Sequence, residues 1–425
     1  MNVYIYTLGC RLNQCESEAI ADSFSKAGFS VVSSCDNADL AIVNSCAVTT
    51  KAEQKARRMI RLFSKSAKAV IVTGCYAEVA RKEVQDLAGN VFVFDLAQKA
   101  SILELASHIL AHDDIHIPLF DTIASFKKHN RSTFDFDPSS FAYHSRAYLK
   151  VQDGCDNACG YCKTTIARGK SIFLDSDEAV RRALKLEKEG FHEIMLTGVN
   201  LTNYDHSGLT IGGLMEKLLA SVGPDMRFRL SSMEPDHVDD RLLDAIADPR
   251  VMPHFHIPIQ SASPKVLEIA NRHYSIEHVD YIISRLRSIK DDPFIACDVI
   301  TGLPGEDEED FMMTYVFLER NQFAAMHVFP YSPRPETPLY KVKHPEERVR
   351  DERASRLRAM SAKHSHEYVA RQLGKECEIL VEGNGFGTTG NYLKAKINAP
   401  EGTYREGSLL KGKFSSVFPL EVSVL

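Results

Sequence analysis

The stretch Asp153-Gly154-Cys155-Asp156-Asn157-Ala158-Cys159-Gly160-Tyr161-Cys162 decides how the centre of this 425-residue chain is read. Its spacing is C-x3-C-x2-C, and no fourth cysteine lies nearby. A loop this tight brings three thiolates onto three irons of a 4Fe–4S cube, since such clusters are held by cysteine thiolates. The fourth iron is then left without a protein ligand, and an open metal position is where a small molecule binds. Two plainer readings stand beside this one: a zinc site, or three buried structural thiols. Structural zinc takes four protein ligands, and the nearest candidates, His144 and His192, sit well outside the loop.

Around that loop the chain alternates strands and helices. A strand over 147–151 leads into it, and further strands are expected near 193–196, 227–230, 254–258, 296–300 and 325–329. Helical patterns such as 177–189 and 263–270 fit between them. Six strand–helix units with right-handed crossovers predict a partial (β/α)6 barrel, an α/β fold whose functional groups gather at the carboxyl ends of the strands. The cysteine loop falls at such an end. So do Gly198 and Asn200, Ser231 and Glu234, Gln260, and Gly302. Gly198 would let the backbone approach a ligand closely, and Ser231 and Glu234 offer a hydroxyl and a carboxylate to a ribose.

The first ~115 residues repeat the alternation and predict an open parallel sheet. Strands are expected at 3–8, 40–43, 70–73 and 91–94, with helices at 16–26, 51–63, 77–86 and 98–111. Each of the first three strands runs directly into a cysteine: Gly9-Cys10, Asn44-Ser45-Cys46 and Thr73-Gly74-Cys75. Ligands of open α/β sheets bind outside the carboxyl ends of the strands, so these three thiols are expected to converge. A second iron–sulfur site and a set of core thiols are both compatible with that placement. Cys15, Cys35, Cys297 and Cys377 lack the pattern and read as structural.

Composition bounds the rest. A hydrophobic content of 44% with 25% charged residues is that of a globular protein, and ten cysteines in 425 residues are far from a disulfide scaffold. No apolar run approaches the ~20 residues needed to span a bilayer, and the first ten residues carry no basic charge, so no membrane partner is expected and a cytoplasmic location is. The net charge of −6 argues mildly against nucleic acid, yet residues 51–68 carry seven Lys and Arg against Glu53 alone. Lys55, Arg57, Arg58 and Arg61 on that helix are the candidate RNA-binding residues; a solvated helix face is the plainer alternative. After a connector helix at 345–372, residues 375–425 read as short strands with Gly- and Asn-bearing turns, the pattern of a small β-barrel of the oligonucleotide-binding kind. This tail has five Lys and one Arg against six Glu, so it is locally neutral.

The cysteine loop, with Tyr161 before its last thiol, resembles the signature of the radical S-adenosylmethionine (SAM) enzymes. That resemblance implies that SAM is chelated on the open iron and split to a 5′-deoxyadenosyl radical, and it adds Tyr161 to the cofactor-binding candidates. End to end, the chain is similar to the methylthiotransferases. Thr7-Leu8-Gly9-Cys10-Arg11-Leu12-Asn13 with Glu16-Ser17-Glu18, Asn44-Ser45-Cys46-Ala47-Val48-Thr49, Ala167-Arg168-Gly169 and His256-Ile257-Pro258-Ile259-Gln260-Ser261 carry the match. Phe329-Pro330-Tyr331-Ser332-Pro333-Arg334-Pro335 adds to it. The Leu-Gly-Cys-Arg-Leu-Asn opening looks most like the MtaB branch, which acts on N6-threonylcarbamoyladenosine at tRNA position 37. The resemblance implies an N-terminal cluster domain (1–118), a linker (119–143), a radical SAM domain with its connector helix (144–374) and a C-terminal TRAM domain (375–425). It further implies two 4Fe–4S clusters, held by Cys10, Cys46 and Cys75 and by Cys155, Cys159 and Cys162, with insertion of a methylthio group at adenine C2. The implied partners are the tRNA anticodon stem-loop, an electron donor such as flavodoxin or ferredoxin, and a sulfur source. Related branches act on isopentenyladenosine (MiaB-like) or on an aspartate of a ribosomal protein (RimO-like), and an RNA-binding iron–sulfur or zinc module is the non-enzymatic alternative.

Overall fold

A computed structural model describes residues 1–113, 118–400 and 402–425. Residues 114–117, near the end of the expected first domain (1–118), lie outside the described residues. Two compact units emerge. One comprises Met1–Tyr143, Lys150–Asp156 and Cys162–Leu174; the other comprises His144–Leu149, Asn157–Tyr161 and Asp175–Leu425.

The first unit is built on a five-stranded parallel sheet. Along the chain its elements are β1 (Asn2–Thr7), α1 (Arg11–Lys26), β2 (Ser30–Val32), β3 (Leu40–Ser45), α2 (Thr50–Ser66), β4 (Ala69–Gly74), α3 (Cys75–Val79), α4 (Arg81–Gln85), β5 (Val91–Val93) and α5 (Ile102–Asp113). The strand order is β2-β1-β3-β4-β5. Alternate residues feed two cores. Val3, Ile5, Ile42 and Ile71 pack with Phe24 of α1 and Leu105 of α5, while Val43, Val70 and Val72 pack with Ile60 and Phe63 of α2. A sheet covered on both faces explains why β3 and β4 are apolar and wholly buried. The sequence pattern did not reveal β2, a three-residue edge strand too short to show a period. The helix expected at 77–86 is two short ones, broken at Ala80, where φ is −133°.

The second unit carries the expected strand–helix alternation. Its strands are β6 (Ala147–Lys150), β7 (Glu193–Thr197), β8 (Arg227–Leu230), β9 (His254–Gln260), β10 (Phe294–Thr301) and β11 (Ala325–Pro330). They form two three-stranded groups, β8-β7-β6 and β9-β10-β11. Side-chain caps start the intervening helices: Asp175, Asp239, Ser263, Ser275 and Asp307 each accept from backbone N–H groups of the first turn. The helix Glu347–Ala370 leads into a closed barrel of β12 (Glu376–Val381), β13 (Phe386–Thr389), β14 (Lys394–Asn398), β15 (Leu409–Val417) and β16 (Leu420–Val424). Strand β13, flanked by Gly385 and containing Gly387, reads in sequence as a turn.

A buried ionic bolt seats this small barrel. Glu193 of β7 has no exposed surface and receives Arg229 Nε at 2.8 Å, together with Arg227 and, at 3.5 Å, Arg146. Burial alone would raise its carboxyl, but Arg229, Arg227 and Arg146 hold it far below the ordinary glutamate range. Arg229 also donates to the carbonyls of Gly390 at 2.7 Å and Thr389 at 2.8 Å, and its guanidinium lies over the Tyr392 ring. Among the described residues, no helix is long and apolar enough to cross a membrane. Removing one partner of a buried ion group strands the others. Glu193→Ala should therefore cost about 3–5 kcal/mol in urea denaturation, and limited proteolysis should then release the C-terminal barrel first.

Candidate metal and cofactor centres

In the first unit the strand ends are brought level. Thr7 pairs with Asn44 and Asn44 with Thr73, so β1, β3 and β4 finish in register just before Cys10, Cys46 and Cys75. The three thiols are electrostatic neighbours of one another. Cys10 is exposed, Cys75 half-buried and Cys46 buried. Two glycines make the approach possible. Gly74 has φ +91°, and a Cβ there would meet Ser45 O at 2.3 Å; Gly9 has φ +103°, and a Cβ there would meet Cys46 Sγ at 2.8 Å. Ser45 Oγ bridges the strands, donating to Thr73 O at 2.5 Å and accepting from Ala77 N at 3.2 Å. Asn13 Nδ2 donates to Leu8 O at 2.7 Å and Ser45 O at 3.1 Å.

Beneath the thiols lies a group of buried charges that sequence reasoning did not assemble, although Glu16 and Arg168 stood in the quoted motifs. Glu16 receives Lys150 Nζ at 2.8 Å and Arg168 Nη1 at 3.3 Å, and it is also paired with Lys99. Asp153 receives Lys150 at 2.7 Å and Arg168 at 2.9 Å. Arg168 reaches further, with Nη2 on Asn13 Oδ1 at 2.7 Å and Nε donating to Cys75 Sγ at 3.3 Å. Burial would raise the Glu16 carboxyl, but Lys150, Lys99 and Arg168 override it and hold it well below the ordinary range. Burial likewise opposes the charge of Arg168, yet Asp153, Glu16 and the thiols of Cys75 and Cys10 keep it firmly protonated. Three cations thus face two carboxylates, and the surplus positive charge points at the thiols. Burial, followed by the neighbouring Cys10, pushes the Cys46 thiol up to about 12. The donor set of three thiols with an adjacent guanidinium fits an anionic iron–sulfur cluster.

The C-x3-C-x2-C loop is anchored at several points. Cys155 and Cys162 belong to the first unit. There Cys155 N donates to Gly169 O at 3.1 Å, Thr165 Oγ1 donates to Cys155 O at 3.2 Å, and Thr164 N donates to Cys162 Sγ at 3.3 Å. Cys159, buried, belongs to the second. Arg272 Nη1 donates to its sulfur at 3.4 Å, and Arg272 is paired with Glu234. Asn271 Nδ2 holds Ala158 O at 3.1 Å, and Tyr161 packs on a cluster that includes Val266, Leu303 and Tyr331.

Of the other expected cofactor residues, Asn200 and Glu234 are joined through Thr202, whose Oγ1 lies 3.4 Å from Asn200 Oδ1 and 3.0 Å from Glu234 O. Gly198 and Ser231 follow β7 and β8, and Gln260 sits at the end of β9 with φ +57°. Gly302 is closed in: its N–H donates to Glu306 Oε1 at 2.7 Å, and a Cβ there would meet Arg350 Cγ at 2.1 Å. Thr197 Oγ1, Ser231 Oγ, Asp236 Oδ1 and Arg272 Nε are buried without a hydrogen-bond partner among the described residues. Such orphaned polar atoms at strand ends and in the adjoining loops suit a polar ligand. On α2, Lys55, Arg58 and Arg61 are exposed. Arg57, expected among the RNA contacts, is instead an internal brace: Nη1 donates to Tyr76 OH at 3.1 Å and to Glu83 Oε1 at 3.0 Å.

The Glu16 group makes an acid-dependent contribution. Its folded carboxyl lies below the unfolded value, so this stability is present above the ordinary glutamate pKa and lost as pH falls through the folded one. Glu16→Gln should cost about 3–5 kcal/mol at neutral pH and flatten the loss of stability on acidification. Far-UV circular dichroism in urea is the readout, since the chain has no Trp.

Comparison with known proteins agrees with this anatomy. Residues 2–95 match the Uncharacterized protein family UPF0004, and residues 149–318 match the Radical SAM superfamily. The threonylcarbamoyladenosine tRNA methylthiotransferase MtaB of Treponema pallidum is 34% identical over 93% of this chain and 94% of its own length. The protein of the same name from Aquifex aeolicus is 33% identical over 97% and 99%. Among solved structures, the radical SAM methyltransferase TsrM of Kitasatospora setae, with cobalamin and a 4Fe–4S cluster bound, superposes with a TM-score of 0.56. At 12% identity over 80% of this chain and 77% of that one, it shares the fold. On these grounds the chain belongs to the radical SAM methylthiotransferases, in the MtaB type.

Proposed function

We propose that this chain inserts a methylthio group at C2 of N6-threonylcarbamoyladenosine beside the tRNA anticodon. The observation that carries the reading is the convergence of Cys10, Cys46 and Cys75 at three level strand ends, with Arg168 donating to Cys75. In this reading those cysteines hold an auxiliary 4Fe–4S cluster, and Cys155, Cys159 and Cys162 hold the one that binds SAM. When bound, these groups supply one-electron cleavage of SAM and the sulfur that is transferred; the adenine C2–H has no acidity for acid–base chemistry to use. The chain's own residues position them. Arg168 and Arg272 each place a guanidinium N–H against one of these sulfurs, a charge-assisted contact that orients it. The orphaned Thr197, Ser231, Asp236 and Arg272 atoms supply polar partners for SAM. An external one-electron donor of flavodoxin or ferredoxin type and a sulfur source complete the reaction, in the cytoplasm.

The decisive experiment incubates anaerobically reconstituted protein with SAM, a reductant and tRNA bearing threonylcarbamoyladenosine. Digested nucleosides are then examined by mass spectrometry; an unchanged nucleoside alongside cleaved SAM would remove the substrate assignment. Cys46→Ala should keep SAM cleavage, lose methylthio insertion and fall from about eight irons per chain to about four, whereas Cys155→Ala should lose both activities.

The exposed side of α2 is assigned to the anticodon stem. Phosphate contacts position the RNA and weaken with salt. The triple variant Lys55→Ala, Arg58→Ala, Arg61→Ala should weaken binding and lower the log–log salt slope by about 0.7–0.9 per lost contact. Arg57→Ala should act mainly on stability, because its guanidinium is already taken up by Tyr76 and Glu83.

A further inference from the structure

Three ionisable side chains lie together on adjacent strands of the second unit, apart from the cysteine loop. His256 is on β9, Asp298 on β10 and His327 on β11. His256 Nε2 is 2.8 Å and His327 Nδ1 3.1 Å from the same oxygen, Asp298 Oδ1, and the two rings meet edge to face at 5.2 Å. The group opens outward in steps: His256 is 19% exposed, Asp298 24% and His327 57%. An ionised carboxylate only accepts, so each ring presents an N–H to Asp298 and its orientation is thereby set. Burial would raise the Asp298 carboxyl, but the two histidines hold it well below the ordinary aspartate range.

Surroundings say what such a group would meet. Asp298 is an electrostatic neighbour of Glu234, and Glu234 pairs with the Arg272 that donates to Cys159. The triad therefore lies within electrostatic reach of the anchor of the cysteine loop. Two residues past His327, on the same side of β11, Phe329 leaves 39% of its surface exposed. An exposed aromatic is the usual platform for an unstacked base. A strand face that served packing alone would carry β-branched residues here; this one carries a carboxylate, two imidazoles and an open ring.

We infer that His256, Asp298 and His327 form the subsite that receives the polar N6 substituent of the target adenine, with Phe329 flanking the base. The inference rests on the proposed function. Threonylcarbamoyl carries a carboxylate and a hydroxyl that imidazole and carboxylate groups recognise, while an isopentenyl chain offers neither. A site built to hydrogen-bond a group discriminates strongly against an analogue lacking it, since its own polar atoms are then left unpaired.

The test measures equilibrium binding of the full-length, cluster-loaded protein to three anticodon stem-loops at fixed salt. The loops differ only at the target adenosine, which is unmodified, isopentenylated or threonylcarbamoylated. The wild type should bind the threonylcarbamoyl loop at least about tenfold more tightly than the unmodified one, a difference of roughly 1.4 kcal/mol. His327→Ala and Asp298→Asn should bring that ratio close to unity while leaving affinity for the unmodified loop and circular dichroism in place. His327→Gln, which keeps a donor, should recover part of the ratio. A wild type with no preference for the threonylcarbamoyl loop would overturn the substrate reading itself. A wild type that discriminates beside variants that discriminate equally well would overturn only the subsite. Stoichiometric zinc or manganese in the wild type, lost in Asp298→Asn, would make the triad a metal site and likewise overturn the subsite.

Discussion

Burying three cations and two carboxylates together is the constraint on which the first unit depends. The side chains of Glu16, Lys99, Lys150, Asp153 and Arg168 lie out of water, and each ion costs several kcal/mol to desolvate unless its partners are fully in place. Their contacts tie β3 and α1 to the segments on both sides of the cysteine loop: Lys99 donates to Asn44, and Arg168 donates to Asn13. Ionic groups of this kind contribute little net stability but tolerate few alternative arrangements. They fix where Arg168 points, and Arg168 points at Cys75. The precision of the thiol site thus derives from electrostatics beneath it more than from the apolar cores beside it.

Local signals carried most of the fold. Strands β3 and β4 are legible because their apolar runs are bounded by turn residues, β8 because Arg and apolar residues alternate along it, and Cys46 and Cys75 because each follows an apolar run directly. What escaped was either too short or too distant in sequence. Strand β2 has three residues, and β13 hides among glycines. Lys99 meets Glu16 across 83 positions and Arg168 meets Asn13 across 155, separations at which no periodicity survives. Arg57 illustrates a different gap. Its place in a basic run marks it as solvent-facing, and only Tyr76 and Glu83 on other elements reveal that it is engaged.

The second unit divides its polar residues by position along the strands. Toward the small barrel, Glu193 is paired with Arg146, Arg227 and Arg229, and Arg229 serves the docking of β13 and its turn. At the carboxyl ends, Thr197 and Ser231 each keep a side-chain oxygen without a partner among the described residues, and His327 is solvent-exposed while paired with Asp298. Ion pairing at one end and polar side chains at the strand termini of the other is how a barrel commits one mouth to architecture and the other to chemistry.

The grouping of Lys150–Asp156 and Cys162–Leu174 with the first 143 residues has a consequence for dissection of the chain. A fragment beginning at His144, the natural place to cut by the sequence alone, would carry off Lys150, Asp153 and Arg168 without Glu16 and Asn13. It would hold orphaned charges that the whole protein never exposes, and the piece left behind would keep Lys99 and Glu16 as a remnant pair. Modularity visible in family boundaries therefore does not make these segments interchangeable cassettes. Grafting the barrel onto a different N-terminal partner would need that ionic group transplanted or neutralised as a unit.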